Sequence, residues 1–131
     1  MKKTIMAAGL AAVLTACGSS GNKTETMTEN PLLTEFKTPF GVPPFDKIEL
    51  DDYMPAFKEG IAQQQKEVEE IVKQKAAPDF ENTIVALDQS GDLLRKVSAI
   101  FYGLNSANTN DEMQALSREL SPLLSKNSDD I

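Results

Sequence analysis

Histidine is missing from all 131 residues of the sequence, and cysteine occurs once, at position 17. Without an imidazole, these residues cannot build a His-based zinc site, a Ser-His or Cys-His couple, or a histidine acid–base pair. This absence excludes most familiar hydrolase machinery from the chain itself. Basic residues are also scarce, since 13 Lys and Arg face 20 Asp and Glu, for a formal charge of −7. Proteins that bind nucleic acids concentrate Lys and Arg, so we expect no nucleic-acid partner.

The remaining composition is that of an ordinary folded protein. Hydrophobic residues make up 40% of the sequence and charged residues 25%. These fractions are typical of a globular chain and unlike those of a disordered one. The length predicts a single domain.

The amino-terminal residues follow the pattern of a secretory signal. Lys2 and Lys3 precede an uncharged stretch, residues 4–16, that is too short to span a membrane as a helix. Its last residues, Leu14-Thr15-Ala16, together with Cys17, resemble the lipobox of bacterial lipoproteins, in which the cysteine is acylated and becomes the new amino terminus. An ordinary signal peptide that contains a cysteine, or a buried free cysteine, is the alternative.

The lipobox implies a division of the chain and a location. We expect a signal peptide over residues 1–16, an acylated Cys17 with a flexible tether over residues 17–29, and a folded segment over residues 30–131. The tether lacks apolar periodicity and has almost nothing to bury. The protein would lie in the bacterial cell envelope, facing the periplasm or the exterior, and would contact the membrane through the acyl chains on Cys17.

The folded segment begins with an arm rich in proline and phenylalanine. Four prolines and three phenylalanines lie between Asn30 and Ile48. Dense prolines favour extended backbone, and the rings have apolar area to bury. We predict an extended arm packed across a helical surface. A proline-rich ligand for a recognition module is the alternative.

The first predicted helix begins at Asp51, with Leu50 outside it, Asp51 or Asp52 capping it, and Pro55 in its first turn. It ends at 76–78. Its predicted inward face comprises Met54, Phe57, Ile61, Gln64, Val68, Ile71 and Val72, which recur at the helical period. Glu67, Glu69 and Glu70 could form a metal or acid–base cluster, but their spacing favours a solvated face, with Glu69 paired to Lys73.

The second predicted helix runs from Glu81 to Asn105, with Gly91 in a core-facing position that lets a neighbouring helix approach. Its predicted inward face comprises Ile84, Leu87, Leu94, Val97, Ile100, Phe101 and Leu104. Thr109 and Glu112 match a capping box for a third helix, in which Pro122 predicts a kink. The inward face of this helix comprises Met113, Leu116, Leu120 and Leu123 or Leu124. The expected fold class is all-α, with antiparallel helices after the arm.

From Asn30 to Ile131 the sequence resembles the amino-terminal segment of the bacterial peptidyl-dipeptidases, or dipeptidyl carboxypeptidases, of the thimet-oligopeptidase family of zinc metallopeptidases. The resemblance is carried by Pro43-Pro44-Phe45-Asp46-Lys47-Ile48, Tyr53-Met54-Pro55-Ala56-Phe57, Phe80-Glu81-Asn82-Thr83-Ile84-Val85-Ala86-Leu87, Ser90-Gly91, Ala107-Asn108-Thr109-Asn110 and Glu119-Leu120-Ser121-Pro122. The Phe-Glu-Asn-Thr-Ile run is its most specific part.

The resemblance implies that this segment belongs to a larger helical metallopeptidase fold, in a lid-like half that walls a deep channel. Such enzymes hydrolyse oligopeptides, and the peptidyl-dipeptidases release C-terminal dipeptides with a zinc ion held by a His-Glu-x-x-His helix and a later glutamate. No catalytic or zinc-binding residue can be transferred to this chain. Asn82, Asn105 and Asn108 could contact substrate in the channel wall, but their positions favour helix caps and turns.

Two functions remain open at this point. The first is the lid or channel-wall segment of a lipid-anchored zinc peptidase, inactive without the catalytic region, in which case the 131 residues are a fragment or the product of a truncated gene. The second is a standalone acidic lipoprotein that binds a peptide or a protein in the envelope. The zinc ion belongs to the complete enzyme, so we expect no cofactor in this chain.

Overall fold

A computed structural model describes residues 29–131, so the predicted signal peptide, Cys17 and most of the predicted tether lie outside the described residues. Two 3₁₀ turns, Pro31–Leu33 and Pro39–Gly41, precede four α-helices and a π-helical segment. The α-helices are α1 (Leu50–Lys73), α2 (Ala86–Gln89), α3 (Asp92–Ala107) and α4 (Asp111–Asp130), and the π-helical segment is Phe80–Val85. Residues 29–131 contain no strand. The predicted all-α fold class is confirmed.

The contacts between helices define how the bundle is arranged. Along α1, Tyr53 contacts Phe101 while Gly60 faces Leu94, so α3 runs antiparallel to α1. Gln64 and Gln65 meet Asn127 of α4, and Val72, further along α1, lies near Ile131. α4 is therefore parallel to α1 and antiparallel to α3. α1 packs chiefly on α3 and less extensively on α4.

The core is centred on aromatic rings shared by α1 and α3. The Phe101 ring meets those of Tyr53 and Phe57 edge-on, with centroids 5.0 and 5.7 Å away. Edge-to-face pairs of this kind add about 0.5–1.5 kcal/mol to the stabilisation from burial. The buried apolar side chains are Leu32, Tyr53, Ala56, Phe57, Val97, Ile100, Phe101, Met113 and Leu120. The centre of the inward face of α1 is therefore displaced from the predicted stripe toward Tyr53, Ala56 and Gly60, and Val72 is 78% exposed.

The amino-terminal arm packs on the helices at two points. Leu32 is fully buried in the core, and Asn30 joins the arm to α1 by donating a hydrogen bond to the carbonyl of Asp52 at 2.8 Å. Phe36 is partly buried, and the ammonium of Lys96 lies 4.8 Å from its ring centroid. Phe40, by contrast, is fully exposed and has a φ of 61°. The arm therefore packs across the helices as predicted at Leu32 and Phe36, but its backbone turns twice and Phe40 does not pack.

The start of α1 differs from the prediction. Leu50 is inside the helix and Glu49 is the N-cap residue, while the Asp52 carboxylate accepts the amide of Glu49 at 2.8 Å. Pro55 is the sixth residue of α1, in the second turn rather than the first. Because proline has no amide hydrogen, the carbonyl of Asp51 loses its helical donor at a solvent-exposed position, where water can replace it. α1 ends at Lys73, before the predicted stop.

The second predicted helix is broken at Ser90 and Gly91. Gly91 adopts a φ of 75°, in the left-handed region, and is the N-cap residue of α3. The Cβ of any other residue there would lie 2.6 Å from the Gln64 amide nitrogen, a contact that the flexible Gln64 side chain could relieve, whereas the left-handed backbone itself requires glycine. The helical period runs through this position unchanged, which is why the sequence pattern predicted one continuous helix.

The start of α4 also corrects a prediction. Asn110, not Thr109, is the N-cap residue, and its side-chain oxygen accepts the amide of Met113 at 2.8 Å. The Thr109 hydroxyl donates instead to Asn105, at the end of α3. α4 continues through Pro122 to Asp130 as one helix. None of the helices in residues 29–131 combines the length and hydropathy needed to cross a membrane.

Candidate functional site

The acidic side chains of the described segment are not grouped as metal ligands. Across residues 29–131, no three His, Cys, Asp or Glu side chains are grouped so that they could hold a metal ion. Glu69 pairs with Lys73 on the surface, as predicted. Glu67 differs from its neighbours, because it is half-buried and its Oε2 accepts the amide of Gly91 at 2.7 Å. The prediction that Glu67 lies on a solvated face is therefore wrong.

The three asparagines considered as substrate contacts serve local structure. Asn82 and Asp79 form a reciprocal capping box at the start of the π-helical segment. The Asn105 side chain accepts from Thr109, and the amide of Asn108 donates to the carbonyl of Leu104 at the end of α3. These contacts agree with the predicted capping and turn roles. Cys17, the predicted lipid attachment site, lies outside the described residues.

A shallow and open apolar groove lies beside the core. Its wall is formed by the arm and its floor by the outer face of α3, and it encloses about 400 Å³. Its lining residues are all uncharged: Pro43, Phe45, Ala99, Ile100, Gly103, Leu104 and Ala107. The Phe45 ring is 51% exposed, although phenylalanine is usually buried. We call this feature the α3 groove.

Gly103 on the floor of the α3 groove has no packing role in the described segment. A Cβ at Gly103 would meet no atom of residues 29–131 within 4 Å. Glycine within a helix costs about 1 kcal/mol relative to alanine. At Gly60, by contrast, a Cβ would lie 2.9 Å from the Cα of Leu94, so close packing of α1 on α3 accounts for that glycine.

A second apolar surface lies on the π-helical segment and α2. Phe80, Ile84 and Leu87 recur at helical spacing and are 70%, 53% and 44% exposed. The sequence pattern placed Ile84 and Leu87 in the core, and the structure places them on the surface. A pattern of this kind identifies an amphipathic face but not the element that covers it.

Two titratable groups lie where burial penalises their charged form. The Tyr53 side chain is 2% exposed, and its hydroxyl has no hydrogen-bond partner in residues 29–131. Burial, with a smaller contribution from the charge of Asp52, raises the pKa of Tyr53. Partial burial lowers the pKa of Lys96, whose ammonium contacts the Phe36 ring and donates to the carbonyl of Thr34 at 3.3 Å. Lys96 thus joins the amino-terminal arm to α3, and Tyr53 lies in the core beside Phe101.

The α3 groove was not predicted from the sequence. The available signal was the small residues Ala99, Gly103 and Ala107, which are four positions apart and therefore share a helix face. The periodicity of the larger side chains did not distinguish this face from the core, because Ile100 and Leu104 pack in the core and also line the groove.

Sequence comparison indicates that this helical segment is homologous to part of a class of peptidases. The chain is 47% identical over 105 residues to dipeptidyl carboxypeptidase from Salmonella typhimurium and 42% identical over 104 residues to dipeptidyl carboxypeptidase from Escherichia coli. Oligopeptidase A from Escherichia coli is more distant, at 33% identity over 97 residues.

The homology covers most of this chain but little of each relative. The Salmonella match spans 80% of this chain and 15% of the relative, the Escherichia coli dipeptidyl carboxypeptidase match 79% and 15%, and the oligopeptidase A match 74% and 14%. No protein-family model matches the sequence. The relatives thus agree with the resemblance to dipeptidyl carboxypeptidases, and about 85% of their length lies outside the match.

Proposed function

We propose that this chain supplies the lid or channel-wall segment of a lipid-anchored zinc metallopeptidase that hydrolyses oligopeptides and releases C-terminal dipeptides. The observation that carries the proposal is the 47% identity over 105 residues to a dipeptidyl carboxypeptidase. Its substrates would be oligopeptides held by a catalytic region outside these 131 residues. The segment itself would shape the enzyme rather than cleave peptides.

The side chains of residues 29–131 do not fit a zinc ion. The sequence has no histidine, and residues 29–131 bring together no suitable group of carboxylates. Any zinc ion of the complete enzyme would therefore be held by residues outside this chain. The exposed apolar residues of the α3 groove and of α2 support a structural role, because large apolar surfaces on a folded segment are usually contact sites.

Segment exchange in a full-length relative tests the peptidase assignment. In Salmonella dipeptidyl carboxypeptidase, the matched segment would be replaced by the homologous residues of this chain. We expect this chimera to fold and to release C-terminal dipeptides from an oligopeptide in a chelator-sensitive reaction. A matched chimera carrying an unrelated helical segment of the same length should be inactive. A folded but inactive chimera, or chelator-sensitive dipeptide release by the purified chain alone, contradicts the proposal.

The lipid anchor is tested separately at Cys17. Expressed in a bacterium fed a labelled fatty acid, the chain should become labelled and appear in the membrane fraction. Cys17→Ser should abolish both, because the acyl acceptor is gone, whereas the nearby Ser20→Ala should change neither. Labelling of Cys17→Ser, or membrane recovery without labelling of the unsubstituted chain, contradicts the anchor and leaves the peptidase assignment to the chimera.

The alternative function is a standalone acidic lipoprotein that binds a peptide or a protein partner. The caps provided by Asn110 and by the Asp79–Asn82 pair favour it, since they stabilise the helices without help from another element. This alternative predicts a monodisperse chain that melts cooperatively, together with an inactive chimera. An active chimera favours the peptidase segment.

A further inference from the structure

We draw no further inference here: the strongest candidate, the turn Pro39–Gly41 of the amino-terminal arm, where the Phe40 ring is fully exposed on a backbone with a φ of 61°, carries nothing, because nothing in the described residues 29–131 shows what covers that ring.

Discussion

The Glu67 carboxylate accepts a hydrogen bond from the amide of Gly91 at 2.7 Å, which joins the last third of α1 to the start of α3. The negative charge lies at the amino-terminal end of α3, where the helix dipole favours it. Gly91 also lies at the break between α2 and α3, where it provides the left-handed backbone. This contact thus positions α3 against α1 through one charged hydrogen bond.

Replacing Glu67 tests the importance of that contact. Glu67→Ala should lower the free energy of unfolding by about 1–3 kcal/mol, because the Gly91 amide loses a charged acceptor. Glu69→Ala, two residues away, removes an exposed pair with Lys73 and should cost at most about 1 kcal/mol. Urea denaturation of the full chain followed by circular dichroism measures both. Equal losses for the two variants would mean that the Glu67–Gly91 contact has no special role.

Two glycines should respond to alanine in opposite ways. Gly60→Ala places a Cβ 2.9 Å from the Cα of Leu94, so α1 and α3 must separate and stability should fall by about 1–3 kcal/mol. Gly103→Ala meets open space and removes a helix-weakening glycine, so stability should rise by about 0.5–1 kcal/mol. Melting temperatures of the two variants check the signs. A stabilising Gly60→Ala would show that the helices are not in close contact there.

Tyr53 should make the protein sensitive to alkaline pH. Because burial raises the pKa of Tyr53, the folded chain keeps the phenolic proton above the pH at which the unfolded chain releases it, about 10. The resulting stabilisation is fully present below pH 10 and is lost as the pH rises through the folded-state pKa. Denaturation at a series of pH values should show a steep decline above pH 10.

Tyr53→Phe isolates this effect. The hydroxyl has no partner in residues 29–131, so its removal should change stability at neutral pH little or favourably. Above pH 10 the variant should lose less stability than the parent. Tyr102→Phe, which alters the other tyrosine and leaves Tyr53 in place, should retain the decline. A variant lacking Tyr53 that declines as steeply as the parent contradicts the assignment.

Asn127 should be important for the attachment of α4. Its side chain is 4% exposed, donates to Gln64 at 2.8 Å and accepts from Gln65 at 3.1 Å. Asn127→Ala leaves both glutamines without that partner and should cost about 1–3 kcal/mol. The exposed neighbour Ser128→Ala should change stability by less than about 0.5 kcal/mol. Thermal denaturation distinguishes the two, and similar melting temperatures would argue against the network.

Local chemistry made much of this fold predictable, and packing determined the rest. Apolar residues at the helical period identify α1 and α3, and the Glu69–Lys73 pair follows from spacing alone. The helix break at Gly91 could not be predicted in the same way. A glycine at this position is also compatible with one continuous helix that a second helix approaches closely. Only the positions of Gln64 and Glu67 distinguish the two possibilities.

The hydrophobic pattern of the sequence could not locate the two exposed apolar surfaces, because it does not show which element covers a helix face. Ile84 and Leu87 have the periodicity of core residues, yet they face solvent in this segment. The glycine at position 103 becomes informative only when its surroundings are known. Gly60 is explained by the close backbone of Leu94, whereas no atom of residues 29–131 lies within 4 Å of a Cβ at Gly103. A sequence can show that a face is apolar, but the element that covers it belongs to tertiary structure.

The parallel placement of α4 on α1 also has a kinetic consequence. α1 and α3 share the aromatic centre of the core and the close approach at Gly60, whereas Asn127 is the buried residue in the carboxyl-terminal half of α4. Because α1 contacts α3 more extensively than α4, the segment should unfold locally in stages. The end of α4 would detach first, while α1 and α3 remain paired. Backbone amides after Pro122 would then exchange with solvent deuterium sooner than those around Phe57 and Phe101.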